Sequence, residues 1–238
     1  MVPLAALQEI CDLALPRACA GCGEQRVAFC EHCRAELDDA LEAEPFEATP
    51  TPCPPGFPIT WSQAPYDGSI AELLRAFKDS GRGDAGPHLA RLLRSALAAL
   101  VEDEDTCRQE LRRGQQLLVV PMPSRSTSTR ARGREPTVEL ARRAVGRTRQ
   151  LTLRRILRVA RTGRDQAGLS AQERSVNVRG AMRLSASGRA IVPGRVCVVI
   201  DDIVTTGSSL VEARETLLAA GAVEVVAATV AATQRRSV

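Results

Sequence analysis

An α/β fold with a mainly parallel sheet, preceded by a small metal-binding module, is what this sequence predicts. Three observations carry that expectation. Apolar runs of strand character alternate with amphipathic helical stretches across the C-terminal three quarters of the chain. Four cysteines stand as two C-x2-C pairs within residues 19–33, ahead of a proline-rich stretch. One apolar run ends in two adjacent acids followed by small and hydroxyl residues, VVIDDIVTTGSSL at 198–210. The division expected is a module with its linker over residues 1–58 and an α/β domain over residues 59–238.

The elements follow in order. Residues 45–58, PFEATPTPCPPGFP, read as irregular linker because proline denies both helix and ladder. Ser69 to Phe77 has helical spacing, with Ile70, Leu73, Leu74 and Phe77 on one side. His88 to Leu100 is a second amphipathic helix. Gln115 to Pro123 gives a short apolar strand stopped by prolines, and Thr137 to Val145 a helix opened by Pro136. Residues 160–180 are polar and punctuated by glycine, hence a loop. RVCVVIDD is a buried strand, Ser209 to Ala220 a helix closed by Gly221, and VEVVAATVA the last strand.

Composition narrows the function classes. At 44% hydrophobic and 25% charged residues the chain reads as a soluble globular protein. Its apolar run VVAATVAA is too short to span a bilayer, and no basic stretch precedes an apolar core at the N-terminus. No membrane partner is expected, and a cytoplasmic location is. The net charge of +4 hides an asymmetry: residues 1–110 hold 9 basic and 19 acidic side chains, residues 111–238 hold 23 and 9. The second half therefore suits an anion, or is a solvated arginine-rich face. Lys78 is the single lysine beside 31 arginines, a compact point charge where the chain otherwise uses forks.

Cys19, Cys22, Cys30 and Cys33 have the spacing of two metal knuckles separated by seven residues. In an intracellular protein such pairs hold metal more often than a disulfide, and four thiolates close a tetrahedral zinc shell. Free buried thiols or an iron–sulfur cluster are the alternatives. Gly21 and Gly23 suit the tight turn that aims amides at the sulfurs. Cys197 reads as a core residue in a strand, as does Cys11 on its apolar stretch. Gly81 to Gly86, GRGDAG, matches G-x-G-x-x-G but follows a helical pattern, so the strand that gives the dinucleotide motif its meaning is missing. His32 and His88 are the only histidines, and neither has a partner that would mark a hydrolase triad.

The acidic strand end is the strongest functional signal. Ligands of parallel sheets bind beyond the carboxyl ends of strands. Asp201 and Asp202 stand at such an end, and the loop TTGSS leads into a helix whose amides make an anion nest. Carboxylates for hydroxyls beside a nest for phosphate fit a sugar phosphate.

VVIDDIVTTGSSL closely resembles the phosphoribosyl pyrophosphate (PRPP) motif of type I phosphoribosyltransferases. Over nearly the whole chain the sequence is similar to the ComF family, which joins a four-cysteine zinc module to a phosphoribosyltransferase domain. CAGCGEQRVAFCEHC resembles the module, YDGSIAELLRAFKDSG the helix bearing a lysine, VVPMP with Arg132–Gly133 the pyrophosphate loop, and DQAGLSAQERSVNVRGAM the family signature. The resemblance implies a sheet of the type I phosphoribosyltransferase kind. It implies that Asp201 and Asp202 bind the ribose hydroxyls, and Thr205, Thr206, Gly207, Ser208 and Ser209 the 5-phosphate. Ser124 and Arg125 would face the pyrophosphate, with Lys78 nearby. Zn2+ would be structural, and Mg2+ would arrive with PRPP, held mostly by substrate oxygens and water. The family often follows its Arg-Gly step with Phe-Asn-Gln, where this chain has Arg134–Glu135–Pro136.

Three functions compete at this level: a Mg2+- and PRPP-dependent phosphoribosyltransferase with an unidentified nitrogenous acceptor, a PRPP sensor without turnover, and a competence or DNA-uptake factor working through single-stranded DNA or a helicase partner. Aromatic residues, at 3%, do not interleave with the arginines, which argues against a stacking mode for single strands.

Overall fold

The computed structural model describes residues 18–123, 134–160 and 182–233. Its elements are α1 (Glu31–Glu42), β1 (Phe46–Glu47), β2 (Thr60–Pro65), α2 (Gly68–Lys78), a 3-10 turn at Gly83–Ala85, α3 (Gly86–Asp103), α4 (Asp105–Arg112), β3 (Leu117–Pro121), α5 (Pro136–Val145), β4 (Leu151–Leu153), β5 (Leu157–Val159), β6 (Met182–Leu184), α6 (Ala186–Ile191), β7 (Val196–Val204), α7 (Ser208–Leu218) and β8 (Glu224–Ala232).

Six strands form one sheet in the order β1-β2-β8-β7-β3-β4. The five from β2 to β4 are parallel, and β1 joins β2 antiparallel at one edge. β5 and β6 make a separate antiparallel pair. The chain steps from β3 outward to β4, then returns to the other side of β3 as β7. The carboxyl ends of β3 and β7 thus flank a topological switch point, the place where an open parallel sheet takes its ligand.

β7 is a near-continuous apolar run because both its faces are covered. Val196, Val198 and Ile200 pack with α2, α3 and α5, while Cys197 and Val199 pack with α7. Leu73, Leu74 and Phe77 of α2 are each about 1% exposed, and each contributes roughly 1.5–3 kcal/mol by leaving water. α2 and α3 contain the expected helical stretches, and α5 starts with Pro136 in its first turn.

The structure corrects several expectations. Residues 45–58 are more than a linker: they supply β1 and the buried Ala48, and Phe57 packs on the sheet face beneath α7. β7 does not end at the acids but continues to Val204, still paired with Ala232 of β8. Strand β2 and helices α1 and α4 were not expected. Ala20 and Leu37 of the cysteine module join the core under α2 and α3. Gln63 of β2 seals the end of α1 by donating to the carbonyls of Ala40 and Ala43 at 2.8 and 2.7 Å. The loop expected at 160–180 lies outside the described residues apart from residue 160. Among the described residues no helix is long and apolar enough to cross a membrane.

Candidate functional site: an acid pair, an anion loop and a four-cysteine cluster

Asp201 and Asp202 lie in β7 beside the end of β3, where Pro121 pairs with Ile200 and the Met122 amide donates to the Ile200 carbonyl at 2.8 Å. The regular alternation of the strand slips across the acids, so that Ile200 and Ile203 both pack into the same apolar cluster. Each acid is held by the next amide: Asp202 N–H donates to Asp201 Oδ1 at 2.9 Å, and Ile203 N–H to Asp202 Oδ1 at 3.0 Å. Burial, and then the charge of Asp202, push the Asp201 carboxyl well above the usual carboxylate range.

Lys78, at the last position of α2, puts its Nζ 2.7 Å from Asp202 Oδ2, with the carboxylate buried and the ammonium half-exposed. Burial disfavours the ammonium, but Asp202 and Asp201 outweigh it and raise the Lys78 pKa. The lysine expected near a pyrophosphate therefore stands directly on the acid pair.

The chain then turns through Thr205 and Thr206, both exposed, to Gly207. Gly207 has φ +73°, the left-handed region that favours glycine. A Cβ there would also meet the Phe57 ring at 2.5 and 2.6 Å and Pro50 Cγ at 3.1 Å. α7 opens on this glycine without a side-chain cap and with no acid in its first turn. Its leading amides are thus offered to an external acceptor, and the helix dipole favours that acceptor being an anion. Ser208 and Ser209 begin α7, and the hydroxyls of Thr206 and Ser208 lie 3.3 Å apart. Behind the loop, Glu212 of α7 accepts from the Met182 amide at 3.1 Å and ties the β5–β6 pair to it.

Seven of the sequence-predicted site residues thus gather at one end of the sheet together with Lys78. Ser124 and Arg125 lie outside the described residues, as do Arg132, Gly133, Cys11 and residues 165–181 of the signature. The departure from Phe-Asn-Gln has a structural account. Arg134 pairs with Glu139 at 2.6 Å and lies over the Phe77 ring, Glu135 pairs with Arg155, and Pro136 begins α5. Sequence reasoning missed Pro50 and Phe57, because nothing in a proline-rich stretch says what it folds back upon.

The Sγ atoms of Cys19, Cys22, Cys30 and Cys33 lie within 4.8 Å of one another. The Cys19–Cys30 and Cys22–Cys30 pairs are 3.6 and 3.5 Å apart. Zn–S bonds of about 2.3 Å set tetrahedral sulfurs roughly 3.8 Å apart, so the donor set fits zinc. The amides of Cys30 and Gly21 donate to Cys19 Sγ at 3.3 and 3.4 Å, and that of Cys33 to Cys30 Sγ at 3.5 Å. Burial opposes the Cys19 thiolate, yet the amides of Cys30, Gly21 and Cys22 bring it down to about 6. Gly21 has to be glycine, because a Cβ would lie 2.7 Å from Cys33 Sγ. His32 points away and pairs with Glu36 at 3.3 Å. Cys107 and Cys197 are core thiols pushed by burial up to about 12, and Cys53 is exposed.

Residues 131–237 match the family model of the phosphoribosyl transferase domain. No curated protein matches the chain. The chain thus combines an α/β fold with a mainly parallel six-stranded sheet, a stretch over residues 131–237 that is similar to the phosphoribosyl transferase domain, and a four-cysteine cluster toward its N-terminus.

Proposed function

We propose that this protein binds PRPP with Mg2+ at the end of β7 and transfers the phosphoribosyl group to a nitrogenous acceptor. One observation carries the reading above the others: an uncapped helix N-terminus stands one short turn beyond a carboxylate pair at the switch point of the sheet. Amides and hydroxyls of Thr205 to Ser209 hold the 5-phosphate, and Asp201 and Asp202 accept from the ribose hydroxyls. Lys78 shares Asp202 with the ligand and offers positive charge to its pyrophosphate side, which Ser124 and Arg125 complete. The acceptor nitrogen lends its lone pair to the anomeric carbon as the C–O bond to pyrophosphate breaks. Pyrophosphate leaves with that electron pair, and the nitrogen sheds its proton to solvent. When bound with PRPP, Mg2+ would supply charge neutralisation to the leaving pyrophosphate. The acid pair stands where positive charge grows on the sugar.

Zn2+ at the four cysteines is structural in this reading, since a closed shell leaves no position for substrate. The pairing of module and transferase-like domain supports placement in the ComF branch, with residues 1–58 as module and connecting segment, whose β1 joins the sheet of the domain over residues 59–238. The test is pyrophosphate release from Mg–PRPP over a panel of nucleobases and amines. Release that depends on one acceptor, and is lost in Asp202→Asn, is expected. Tight PRPP binding with no release for any acceptor would turn the reading to that of a sensor.

A further inference from the structure

The G-x-G-x-x-G stretch at 81–86 follows α2, not a strand, and its residues have a different task. Gly81, at φ +68°, turns the chain out of α2, and a Cβ on Gly86 would lie 3.0 Å from the Phe77 ring. Between them stands Arg82. Its guanidinium is fixed by Asp84, with Nε donating to Oδ1 at 3.0 Å and Nη2 to Oδ2 at 2.7 Å. Its remaining reach goes to the cysteine module, where Nη1 donates to the Ala18 carbonyl at 2.6 Å and Nη2 to the Ala28 carbonyl at 3.0 Å.

Those two carbonyls are at the root of the metal loop. Ala18 precedes Cys19 directly and bridges to Gln25, while Ala28 stands two residues before Cys30 and also accepts from the Ala20 amide at 3.1 Å. One planar fork thus holds both arms of the knuckle, a geometry that a lysine cannot reproduce. The backbone of Arg82 is tied in the other direction. Its amide donates to the Ala76 carbonyl at 3.1 Å, in the last turn of α2. That turn carries Lys78, whose Nζ rests on Asp202. The path from cysteine cluster to acid pair is therefore short and made of contacts with defined partners.

We infer that Arg82 is a positioning residue that couples metal in the four-cysteine module to ligand at the Asp201–Asp202 pair. Metal closes the Ala18–Ala28 hairpin, the hairpin supplies the two acceptors of Arg82, and Arg82 holds the α2 turn that sets Lys78. Without metal the hairpin loses its crosslink and Arg82 its acceptors. The inference rests on the PRPP reading of the acid pair, and the experiment separates the two.

Mg–PRPP affinity is measured by calorimetry on the full chain with and without zinc. Zinc affinity is measured by chelator competition with and without saturating Mg–PRPP. Linkage requires the two factors to be equal. The expected wild-type factor is on the order of ten-fold. In Arg82→Ala it falls to about one, and Arg82→Lys, which guards against loss of the fold by keeping charge and stem, behaves as the alanine variant does. Asp84→Asn, which loosens the guanidinium but leaves its carbonyl contacts, gives an intermediate factor. A wild-type factor of one overturns the inference alone. So does a wild-type-sized factor retained in both arginine variants, because the coupling would then run by a route other than Arg82, such as the Ala20 and Leu37 packing against α2. Failure of the wild-type protein to bind Mg–PRPP removes the reading beneath it and the inference together.

Discussion

Gly207→Ala is the substitution whose cost can be worked from the structure. The position has φ +73°, and a non-glycine residue in that region costs about 1–2 kcal/mol. The new Cβ would also stand 2.5 Å from Phe57 Cε2 and 2.6 Å from Cδ2, so the ring must move. Overpacking of this kind costs about 1–3 kcal/mol. The expected loss is then roughly 3 kcal/mol, or a fall in Tm of about 6–12 °C for a chain of this size. Urea denaturation of the single variants and of the pair with Phe57→Ala separates the two contributions. In the Phe57→Ala background the larger part of the steric cost disappears, and Gly207→Ala should cost the backbone part plus the milder contact with Pro50 Cγ at 3.1 Å. The coupling between the two sites is therefore about 1–3 kcal/mol. Equal cost in both backgrounds would show that Phe57 does not buttress the loop, and would refute the packing of the proline-rich segment beneath the anion site.

Other outcomes follow from the same geometry. Asp201→Asn should raise Tm at neutral pH by a few degrees in the absence of ligand. The folded-state pKa of Asp201 lies above its ordinary value, so the wild type loses stability as pH rises from that ordinary value to the folded one, and asparagine has no proton to lose. Lys78→Met should cost about 1 kcal/mol at neutral pH, kept small by the exposure of the ammonium. Because the Lys78 pKa is raised, its contribution persists through neutral pH and is lost only above the usual lysine range, as pH-dependent urea titrations can check. Gly21→Ala should drive Cys33 out of the cluster, and metal analysis should find one zinc per wild-type chain and less than one in the variant.

What the sequence revealed depended on whether burial leaves a periodic mark. α2, α3, β3, β7, α7 and β8 bury apolar residues at helical or continuous spacing, and those elements were legible. β2 was not, because TWSQAP hides polar groups that find partners inside: Ser62 bonds Thr229 across the sheet and Gln63 seals α1. α1 buries just Cys33 and Leu37 and α4 just Cys107 and Glu110, too few to set a period. At the site, the acid pair, the loop and the cysteines carry their chemistry in adjacent letters. Lys78 was singled out by composition, but its seat on Asp202 depends on how α2 crosses the sheet. Phe57 and Arg82 act through distant backbone, and no local pattern marks either of them.

The measurement that reaches the central claim most directly is calorimetry of Mg–PRPP with the wild-type chain and with Asp201→Asn/Asp202→Asn. One site per chain in the wild type, with binding lost in the double variant while its urea midpoint is retained or raised, is the predicted result. Wild-type affinity in the double variant, or no binding by the wild type, would contradict the assignment of the β7 acids and the Thr205–Ser209 loop as the phosphoribosyl site.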